Sequence, residues 1–562
     1  MGVRLKSLLA QHWRDVLEAL GTAREVMLRE GPSKIQFWFI ALLLGSAAGL
    51  VTIGFRSAIS LLQKTLYGVD DPNNLHSFAE TLPWYWIVAI PTIGGLVVGL
   101  ILKRFTDDGR VRSVADVIEG AALHNGRVNR KAGLASGLAS LITLSSGGST
   151  GREGPVVHLS ATISSWVSEK LQADGITGRD LLGCAVAAAV AASFNAPIAG
   201  ALFALEVILR HFAVHAFAPI AIASVAGAVI SRITFGDVTE FMLPADNILV
   251  FYVELPAFVL LGVVCGLVAV LMMRAVFWAD DIGNHIQGEL KLPRWLRPAV
   301  AGLALGLIAT AFPHIIGVGY ETTSSALTGT LGLREVVIFA IIKAIAVAIT
   351  IAGRMGGGIF SPSMMMGALT GLGFGIVATS IFPTISGSET LYALAGMGAV
   401  AAAVLGAPIS TSLIVFELTG DWQTGLAVLV AVSISTALAS RLVDRSFFLT
   451  QLERVNIHVA AGPQAYLLTL YKAGVVMRGF DHPKAASREA CEALVETGFF
   501  IDPDTTLEVA LPKLEETGHS FIPVMAPDGA DGKPALVGAL FRVDALATYN
   551  QALAATAAEE HS

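Results

Sequence analysis

Gly151-Arg152-Glu153-Gly154-Pro155 connects two long apolar stretches of the chain. The first runs from Gly133 to Leu144, and the second, from Val156 to Val167, has the composition of a helix. Pro155 falls in the first turn of that helix, where its missing N–H removes no hydrogen bond. The stretch therefore predicts a helix N-terminus inside an apolar protein. The free N–H groups and the positive end of the helix dipole at such a point attract anions.

Glu153 places a carboxylate at this predicted helix start. An ionisable side chain at membrane depth is costly to bury and marks a functional site by default. The alternative is an ordinary ion pair with Arg152 at the lipid interface, because many charges in membrane proteins are interfacial. We favour the functional role, because the carboxylate and the predicted anion site coincide.

The composition predicts a polytopic membrane protein. Of the 562 residues, 54% are hydrophobic and only 14% are charged, whereas about a quarter of a soluble protein is charged. The 57 glycines are typical of helices that pack closely in lipid. A net charge of −7 argues against a nucleic-acid partner. The three cysteines are far apart, so neither a disulfide framework nor a metal site is predicted.

Three regions follow from the distribution of charge and hydropathy. Residues 1–34 combine basic residues with Leu and Val at helical spacing, which predicts an amphipathic helix in the cytoplasm. Residues 35–455 are apolar and form the predicted membrane domain, in which several runs are shorter than the roughly 20 residues that cross a bilayer. Residues 456–562 are less apolar and predict a soluble α/β domain with a frayed tail.

An internal repeat divides the membrane domain. Ala185–Val190 and Ala399–Val404 have the same sequence, Ala-Val-Ala-Ala-Ala-Val. Each is followed by Ala-Pro-Ile, with the proline at Pro197 or Pro408, and then by a glutamate nine residues after the proline. Interrupted apolar segments in matching places are typical of transporters built from two repeats.

The opening motif takes part in the same repeat. Its partner is Gly358-Ile359-Phe360-Ser361-Pro362, which begins 207 residues after Gly151. Each half of the chain therefore brings one Gly-x-x-x-Pro helix start into the membrane. Two such starts that converge would hold a dehydrated anion with backbone N–H groups and without a fixed cation, which favours fast passage.

Residues 35–455 resemble the CLC family of chloride channels and proton-coupled chloride exchangers. The resemblance depends on both Gly-x-x-x-Pro motifs, on Phe194-Asn195-Ala196-Pro197 with the following Glu206, and on the repeat. It implies an all-α membrane domain of two inverted repeats of tilted, broken helices, at about residues 35–235 and 248–455. It also implies a homodimer with one pore in each subunit, in an inner or plasma membrane, with both termini cytoplasmic.

The resemblance assigns roles to individual positions. Glu153 matches the gating glutamate, whose carboxylate competes with chloride and swings away when it is protonated or displaced. An apolar site favours the neutral acid and a helix N-terminus favours the anion, so the two states can be close in energy. The implied anion-binding positions around it are Gly151, Arg152, Gly154, Gly358, Ile359 and Phe360.

Two departures from the family pattern concern anion binding. The family's Gly-Ser-Gly-Ile-Pro-Glu motif corresponds to Val111-Arg112-Ser113-Val114-Ala115-Asp116. Counting back from Glu153 places Arg112 at the anion-selecting serine, and a shift of one residue places Ser113 there, so both stay candidates. The tyrosine that binds the central anion corresponds to Phe448, which has no hydroxyl.

A third departure concerns protons. Exchangers of the family commonly carry a second glutamate directly after the position of Glu206, as the internal proton site, but this chain has Val207 there. Valine cannot carry a proton, so we favour a passive anion channel gated by Glu153. The alternative is a proton-coupled chloride antiporter in which water or another group, such as Glu206, supplies the proton.

The C-terminal residues 456–562 resemble a CBS domain with one clear copy of the motif. The implied nucleotide contacts are Asp504, Thr505 and Asp544, and Phe541 replaces the usual Ser or Thr. We therefore expect weak or no adenine-nucleotide binding and a role in supporting the dimer. A nucleotide-sensing membrane regulator is the alternative from another class. The sequence predicts neither an enzyme nor a cofactor.

Overall fold

The computed structural model describes residues 34–69, 74–173, 175–212, 214–236, 241, 251–383, 386–457, 459, 467–468, 471–526 and 535–560. The chain divides into two compact units. One contains residues 1–209 and 217–456, and the other contains residues 210–216 and 457–562. The amphipathic helix predicted for residues 1–34 lies outside the described residues apart from its last position.

The first half of the membrane unit is helical. Its helices are α1 (Lys34–Tyr67), α2 (Leu75–Ala79), α3 (Trp84–Phe105), α4 (Val114–Leu123), α5 (Arg130–Ser145), α6 (Glu153–Lys170), α7 (Gly175–Phe194), α8 (Pro197–Phe203) and α9 (Val214–Phe235). A π-helical turn, Ala204–Leu209, continues α8. The helix predicted from Val156 thus begins one turn earlier, at Glu153.

The second half has the same kind of structure. It contains α10 (Phe251–Glu289), α11 (Arg297–Ala309), α12 (Tyr320–Leu327), α13 (Leu333–Ala352), α14 (Phe360–Ile381), α15 (Glu389–Leu405), α16 (Pro408–Thr419), α17 (Trp422–Leu442) and α18 (Phe447–Glu453). Short 3-10 turns at Arg294–Leu296 and Pro313–Ile315 precede α11 and α12. Helices α6 to α9 correspond in order and in their breaks to α14 to α17.

Eight helices among the described residues are long and apolar enough to cross a bilayer. They are α1, α3, α7, α9, α10, α13, α14 and the segment from α17 through α18. Shorter apolar helices, including α8, α15 and α16, lie among them. The chain is therefore a multi-pass membrane protein that contains shorter apolar helices besides the candidate spans.

Both predicted helix breaks are present, and both have the same local cause. Helix α7 ends at Phe194, Asn195 has a φ of 56°, and α8 begins at Pro197. Helix α15 ends at Leu405, Gly406 has a φ of 70°, and α16 begins at Pro408. A left-handed residue ends a helix, and a proline at the first helical position starts the next without losing a hydrogen bond. The matched geometry confirms that the two halves repeat one pattern.

The C-terminal unit has mixed secondary structure. Its elements after residue 471 are α19 (Ala473–Val476), β1 (Arg478–Gly479), α20 (Arg488–Glu496), α21 (Leu507–Thr517), β2 (Phe521–Ala526), β3 (Ala535–Phe541) and α22 (Arg542–Glu560). The strands form an antiparallel sheet in the order β1-β3-β2, and Ile501 adds a parallel bridge to Val524. An apolar core that includes Leu507, Ile522 and Leu540 holds the unit together.

Candidate anion pathway

The two Gly-x-x-x-Pro helix starts meet directly. The backbone N–H of Gly151 donates to the carbonyl of Gly358 at 2.7 Å, and the N–H of Gly358 donates to the carbonyl of Gly151 at 2.7 Å. This antiparallel bridge places the N-terminus of α6 beside that of α14. Because N-terminal N–H groups and positive dipole ends meet at this junction, it has the electrostatic character that attracts anions.

The close approach of the two starts depends on glycine. A Cβ at Gly358 would lie 2.9 Å from the backbone nitrogen of Gly154, and a Cβ at Gly357 would lie 2.1 Å from Thr150 Oγ1. Gly357 also has a φ of 136°, which side-chain-bearing residues rarely adopt. The Thr150 hydroxyl donates to the Gly358 carbonyl at 2.9 Å. Side chains at these positions would therefore force the junction apart.

Glu153 is the first residue of α6 and lies at this junction, with 2% of its surface exposed. Its Oε1 accepts a hydrogen bond from the Ser361 hydroxyl at 2.5 Å and another from the Tyr320 hydroxyl at 3.3 Å. Its Oε2 is buried without a hydrogen-bond partner among the described residues. The carboxylate thus spans from its own helix start to the start of α14.

A cavity of about 320 Å³ opens on one side of Glu153, and we call it the Ser113 cavity. Seven of the residues that the sequence predicted for the site line it: Ser113, Glu153, Gly154, Gly358, Ile359, Phe360 and Phe448. Arg110, Arg354 and Arg454 also line it, together with Asp116 and Asp280. With Glu153 included, three guanidinium groups and three carboxylates line the cavity, so its described lining has no excess of formal charge.

The structure distinguishes between Arg112 and Ser113. Ser113 lines the Ser113 cavity and precedes α4, while the Arg112 guanidinium pairs with Asp108 at 2.9 Å and with Asp116 at 3.1 Å. The backbone N–H of Arg112 donates to the Ser136 hydroxyl at 2.8 Å. The two ion pairs direct the Arg112 side chain to carboxylates, so its described contacts do not support the predicted role as an anion ligand. Ser113 lines the cavity, and its role as an anion ligand stays a prediction.

Aromatic side chains form part of the lining of the Ser113 cavity. The Phe360 ring lies 4.8 Å from that of Phe194 and 5.8 Å from that of Phe203, between centroids. Both partners come from the first repeat, so the start of α14 is packed against the end of α7 and against α8. Phe448 lies in α18 with 3% exposure and lines the same cavity. Its ring presents no donor to an anion.

A second cavity of about 250 Å³, which we call the Tyr320 cavity, is lined by Tyr320, Arg152, Arg56, His76 and Glu321, among others. The Arg152 guanidinium lies 5.0 Å from the centre of the Tyr320 ring. Arg152 therefore belongs to this cavity and not to the Ser113 cavity. Because Tyr320 lines the second cavity and donates to Glu153, while Glu153 lines the first, the carboxylate stands between the two.

Glu206 has a different environment. Its carboxylate accepts hydrogen bonds from the N–H groups of Ile409 at 2.9 Å and Ser410 at 2.8 Å, and from the Ser410 hydroxyl at 2.7 Å. It therefore caps the N-terminus of α16, where a negative charge is stabilising. Neither Glu206 nor Val207 lines a cavity described here. Val207 is buried in the π-helical turn with 5% exposure, and the proton-path role predicted for this pair stays a prediction.

The repeat supplies a mirror of this cap. Glu417 accepts hydrogen bonds from the N–H groups of Ile198 at 3.0 Å and Ala199 at 2.7 Å, at the start of α8. Glu206 in the first repeat thus caps a helix of the second, and Glu417 in the second caps a helix of the first. The reciprocity is a direct consequence of the proline-to-glutamate spacing that both repeats share.

The comparison with known families agrees with this geometry. Residues 94–440 match the family model of voltage gated chloride channels. The chain belongs to the CLC family. As a CLC protein, it is a membrane protein of chloride transport, with Glu153 and both helix starts inside the matched range.

Individual relatives extend the match over most of this CLC chain. A ClcB-like chloride channel protein of Ralstonia nicotianae is 30% identical over 396 residues, which cover 70% of this chain and 91% of the relative. The voltage-gated ClC-type chloride channel ClcB of Escherichia coli is 29% identical over 412 residues, covering 72% and 95%. The solved structure of a slow cyanobacterial Cl−/H+ antiporter has a TM-score of 0.66 over 75% of this chain and 97% of that one. At 20% identity, that likeness concerns the fold.

Two residues of the site were missed by the sequence analysis. Ser361 lies inside the Gly358–Pro362 motif, and its place one residue after the helix start was a usable signal. Tyr320 lies 167 residues from Glu153 as the first residue of α12, and no motif or spacing marks it. Only the folded chain brings its hydroxyl to the carboxylate.

Proposed function

We propose that this CLC protein conducts chloride and related small anions between the Ser113 cavity and the Tyr320 cavity, with Glu153 as the gate. The observation that carries the proposal is the position of the Glu153 carboxylate, which lies between the two cavities and is held there by the Ser361 and Tyr320 hydroxyls. When the carboxylate leaves, the backbone site at the helix starts becomes open to an anion. The protein acts as a transporter and not as an enzyme.

Binding by backbone N–H groups supports rapid passage. An anion at the junction would contact the N-termini of α6 and α14 and would face the Ser113 cavity. The nearby guanidinium of Arg112 is already paired with two carboxylates. A directly contacting cation would bind the anion tightly and slow its release, because conduction requires binding that is favourable but weak. The guanidinium groups of Arg354 and Arg454 line the Ser113 cavity, but the proposal does not need them at the junction.

We further propose that transport is passive. Fixed coupling to protons needs an acceptor that a proton can reach and a route from it to Glu153. Val207 offers no titratable group, and the Glu206 carboxylate already accepts three hydrogen bonds as a helix cap. Placing an unpaired charge on hydrocarbon costs several kcal/mol, so protons would not follow anions in a fixed ratio.

Proton-coupled antiport is the second candidate. The observation that favours it is the closed position of Glu153, since a gate that seals the route between two cavities suits exchange as well as conduction. The experiment that separates the two is the reversal potential in a bilayer with equal chloride and a pH step. A passive channel reverses near zero, whereas a reversal potential that moves steadily with the pH step demonstrates coupling and overturns the passive mode.

The gate itself has an independent test. Glu153→Gln and Glu153→Ala should both remove the pH dependence of anion flux, because neither variant can alternate between a carboxylate and a neutral acid. Flux of radioactive chloride from proteoliposomes over a pH series measures this directly. A Glu153→Ala protein that keeps the wild-type pH profile would show that another group is the gate.

The remaining assignments are proposals of the same kind. The protein would work as a homodimer with a pore in each subunit and with both termini in the cytoplasm. Residues 456–562 would form a CBS-like domain that supports the dimer. In that unit Asp544 is bound by Arg478, with Nε 2.6 Å from the carboxylate, and Asp504 is bound by Lys472 at 2.7 Å. These ion pairs occupy two of the three predicted nucleotide contacts, the third being Thr505, and so support weak nucleotide binding.

A further inference from the structure

Tyr320 reaches Glu153 from the side opposite the Ser113 cavity. Its hydroxyl donates to Glu153 Oε1 at 3.3 Å, and its ring lines the Tyr320 cavity. The other donor to the same oxygen, Ser361, is 3% exposed and lies at the start of α14. The hydrogen bond from Tyr320 is therefore the contact of the gate that an ion entering the Tyr320 cavity would meet first.

The backbone before Tyr320 is held in a tight position. Gly319 has a φ of 95°, and a Cβ there would lie 2.4 Å from Met365 Sδ and 3.3 Å from Lys343 Nζ. The fully buried Lys343 ammonium donates to the carbonyls of Ile315 at 3.3 Å and Gly317 at 3.1 Å. This segment can approach α13 and α14 so closely only because Gly319 has no side chain. The close packing determines the position of Tyr320, the first residue of α12.

The ring of Tyr320 is held as well as its backbone. The Arg152 guanidinium lies 5.0 Å from the ring centre, and the Phe241 ring packs edge-on at 5.5 Å between centroids. Arg152 directly precedes Glu153 in sequence, so the same pair of residues that starts α6 contacts both the ring and the hydroxyl of Tyr320. The hydroxyl is thus positioned for a hydrogen bond and not left to rotate in solvent.

We propose that Tyr320 is the positioning residue that latches Glu153 closed toward the Tyr320 cavity, and that breaking this one hydrogen bond opens the gate to that side. The inference rests on the proposed gating role of Glu153. It adds that the hydrogen bond on the side of the Tyr320 cavity controls how easily the gate opens. Ser361 retains the carboxylate against α14, and Tyr320 sets how readily an anion or a proton from the Tyr320 cavity displaces it. The tyrosine acts through Glu153 and does not itself bind the anion in the junction.

Other charged groups face this region and must be separated from the effect. Among the described residues, those on the Tyr320 cavity are Arg56, His76, Arg152, His314 and Glu321. Lys343 lies below Gly319, and Asp116 lines the Ser113 cavity. Glu321 is paired with His76 at 3.1 Å. If a change in the pH profile requires both the Tyr320 hydroxyl and the Glu153 carboxylate, these other charged groups are not its source.

The test is Tyr320→Phe, which removes the hydroxyl and keeps the ring that contacts Arg152 and Phe241. Loss of one long hydrogen bond to a charged acceptor should raise chloride flux at pH 7 by about three- to tenfold. It should also move the half-maximal point of the pH profile to higher pH, but only when pH is varied on the side of the Tyr320 cavity. A stronger donor, 3-fluorotyrosine at position 320, keeps the fold and should change both quantities in the opposite direction.

Two comparisons make the outcome decisive. Tyr392→Phe is the matched control, because the Tyr392 hydroxyl also donates to a carboxylate, Glu254, at 2.9 Å but lines neither cavity. In a Glu153→Gln background, Tyr320→Phe should have no effect on the pH profile. If Glu153→Gln abolishes pH dependence while both changes at Tyr320 leave the one-sided profile unmoved, the latch is refuted and the gate stands. If Glu153→Gln keeps the pH dependence, the proposed function itself fails.

Discussion

Glu206 offers the sharpest test of whether a glutamate of the family motif carries protons or holds helices. Glu206→Ala would remove three hydrogen bonds, two from backbone N–H groups in the first turn of α16 and one from the Ser410 hydroxyl. Loss of a helix cap costs about 1–2 kcal/mol, and the buried N–H of Ser410 would be left unsatisfied at about 1–3 kcal/mol. We therefore expect the free energy of unfolding to fall by about 2–5 kcal/mol.

The chain provides a matched control in Glu417. It accepts two backbone hydrogen bonds at the start of α8, so Glu417→Ala should cost somewhat less than Glu206→Ala by the same reasoning. Unfolding in mixed micelles measures both losses, and the reversal potential under a pH step measures coupling. The milder Glu206→Gln and Glu417→Gln variants keep an acceptor oxygen and should leave the reversal potential unchanged. A reversal potential that moves with Glu206→Gln but not with Glu417→Gln would refute the cap as the whole role of Glu206.

Three further predictions concern other parts of the molecule. Gly358→Ala should reduce chloride flux at least tenfold, because its Cβ would lie 2.9 Å from a backbone nitrogen of the facing helix start. Gly54→Ala is the control and should leave flux unchanged, because a Cβ there would have no neighbouring atom within 4 Å. Equal flux in the two variants would contradict the backbone junction. Phe448→Tyr adds a hydroxyl to the Ser113 cavity and should strengthen chloride retention over nitrate in competition flux assays, and an unaltered preference would exclude position 448 from anion contact. Arg478→Ala releases the Asp544 carboxylate and should increase adenine-nucleotide binding by the full-length protein in calorimetry, while micromolar binding by the unaltered protein would show that the ion pair does not block the site.

The helix starts and breaks could be predicted because their signals are local. Proline at the first helical position and a left-handed residue before it act within a few residues, so Pro197 and Pro408 mark helix starts without knowledge of the fold. The repeat then placed Gly358 opposite Gly151 by spacing alone. These features predict where the helices begin, with Glu153 at one such start, whereas the fold class came from the family resemblance.

The parts of the site that the sequence did not determine depend on distant contacts. Choosing between Arg112 and Ser113 requires the pairing of Arg112 with Asp108 and Asp116, which no pattern in the motif reveals. Tyr320 contacts Glu153 although the two residues are 167 positions apart in the sequence. Glu206 shows a further limit of sequence-based prediction. The same sequence pattern, a glutamate nine residues after the proline that starts a helix, is compatible with a proton carrier and with a cap of a neighbouring helix.

The bridge between Gly151 and Gly358 also limits how this protein can change during evolution. The backbone N–H groups that would hold the ion there are carried by every amino acid except proline, so any other point substitution leaves them in place and acts by crowding the junction. Selection on gating, rate or regulation is then free to alter the surrounding side chains, such as Tyr320 or Phe448, while the coordination itself is inherited intact. We expect a relative with a different gating residue to bind its anion with the backbone N–H groups of the same two helix starts.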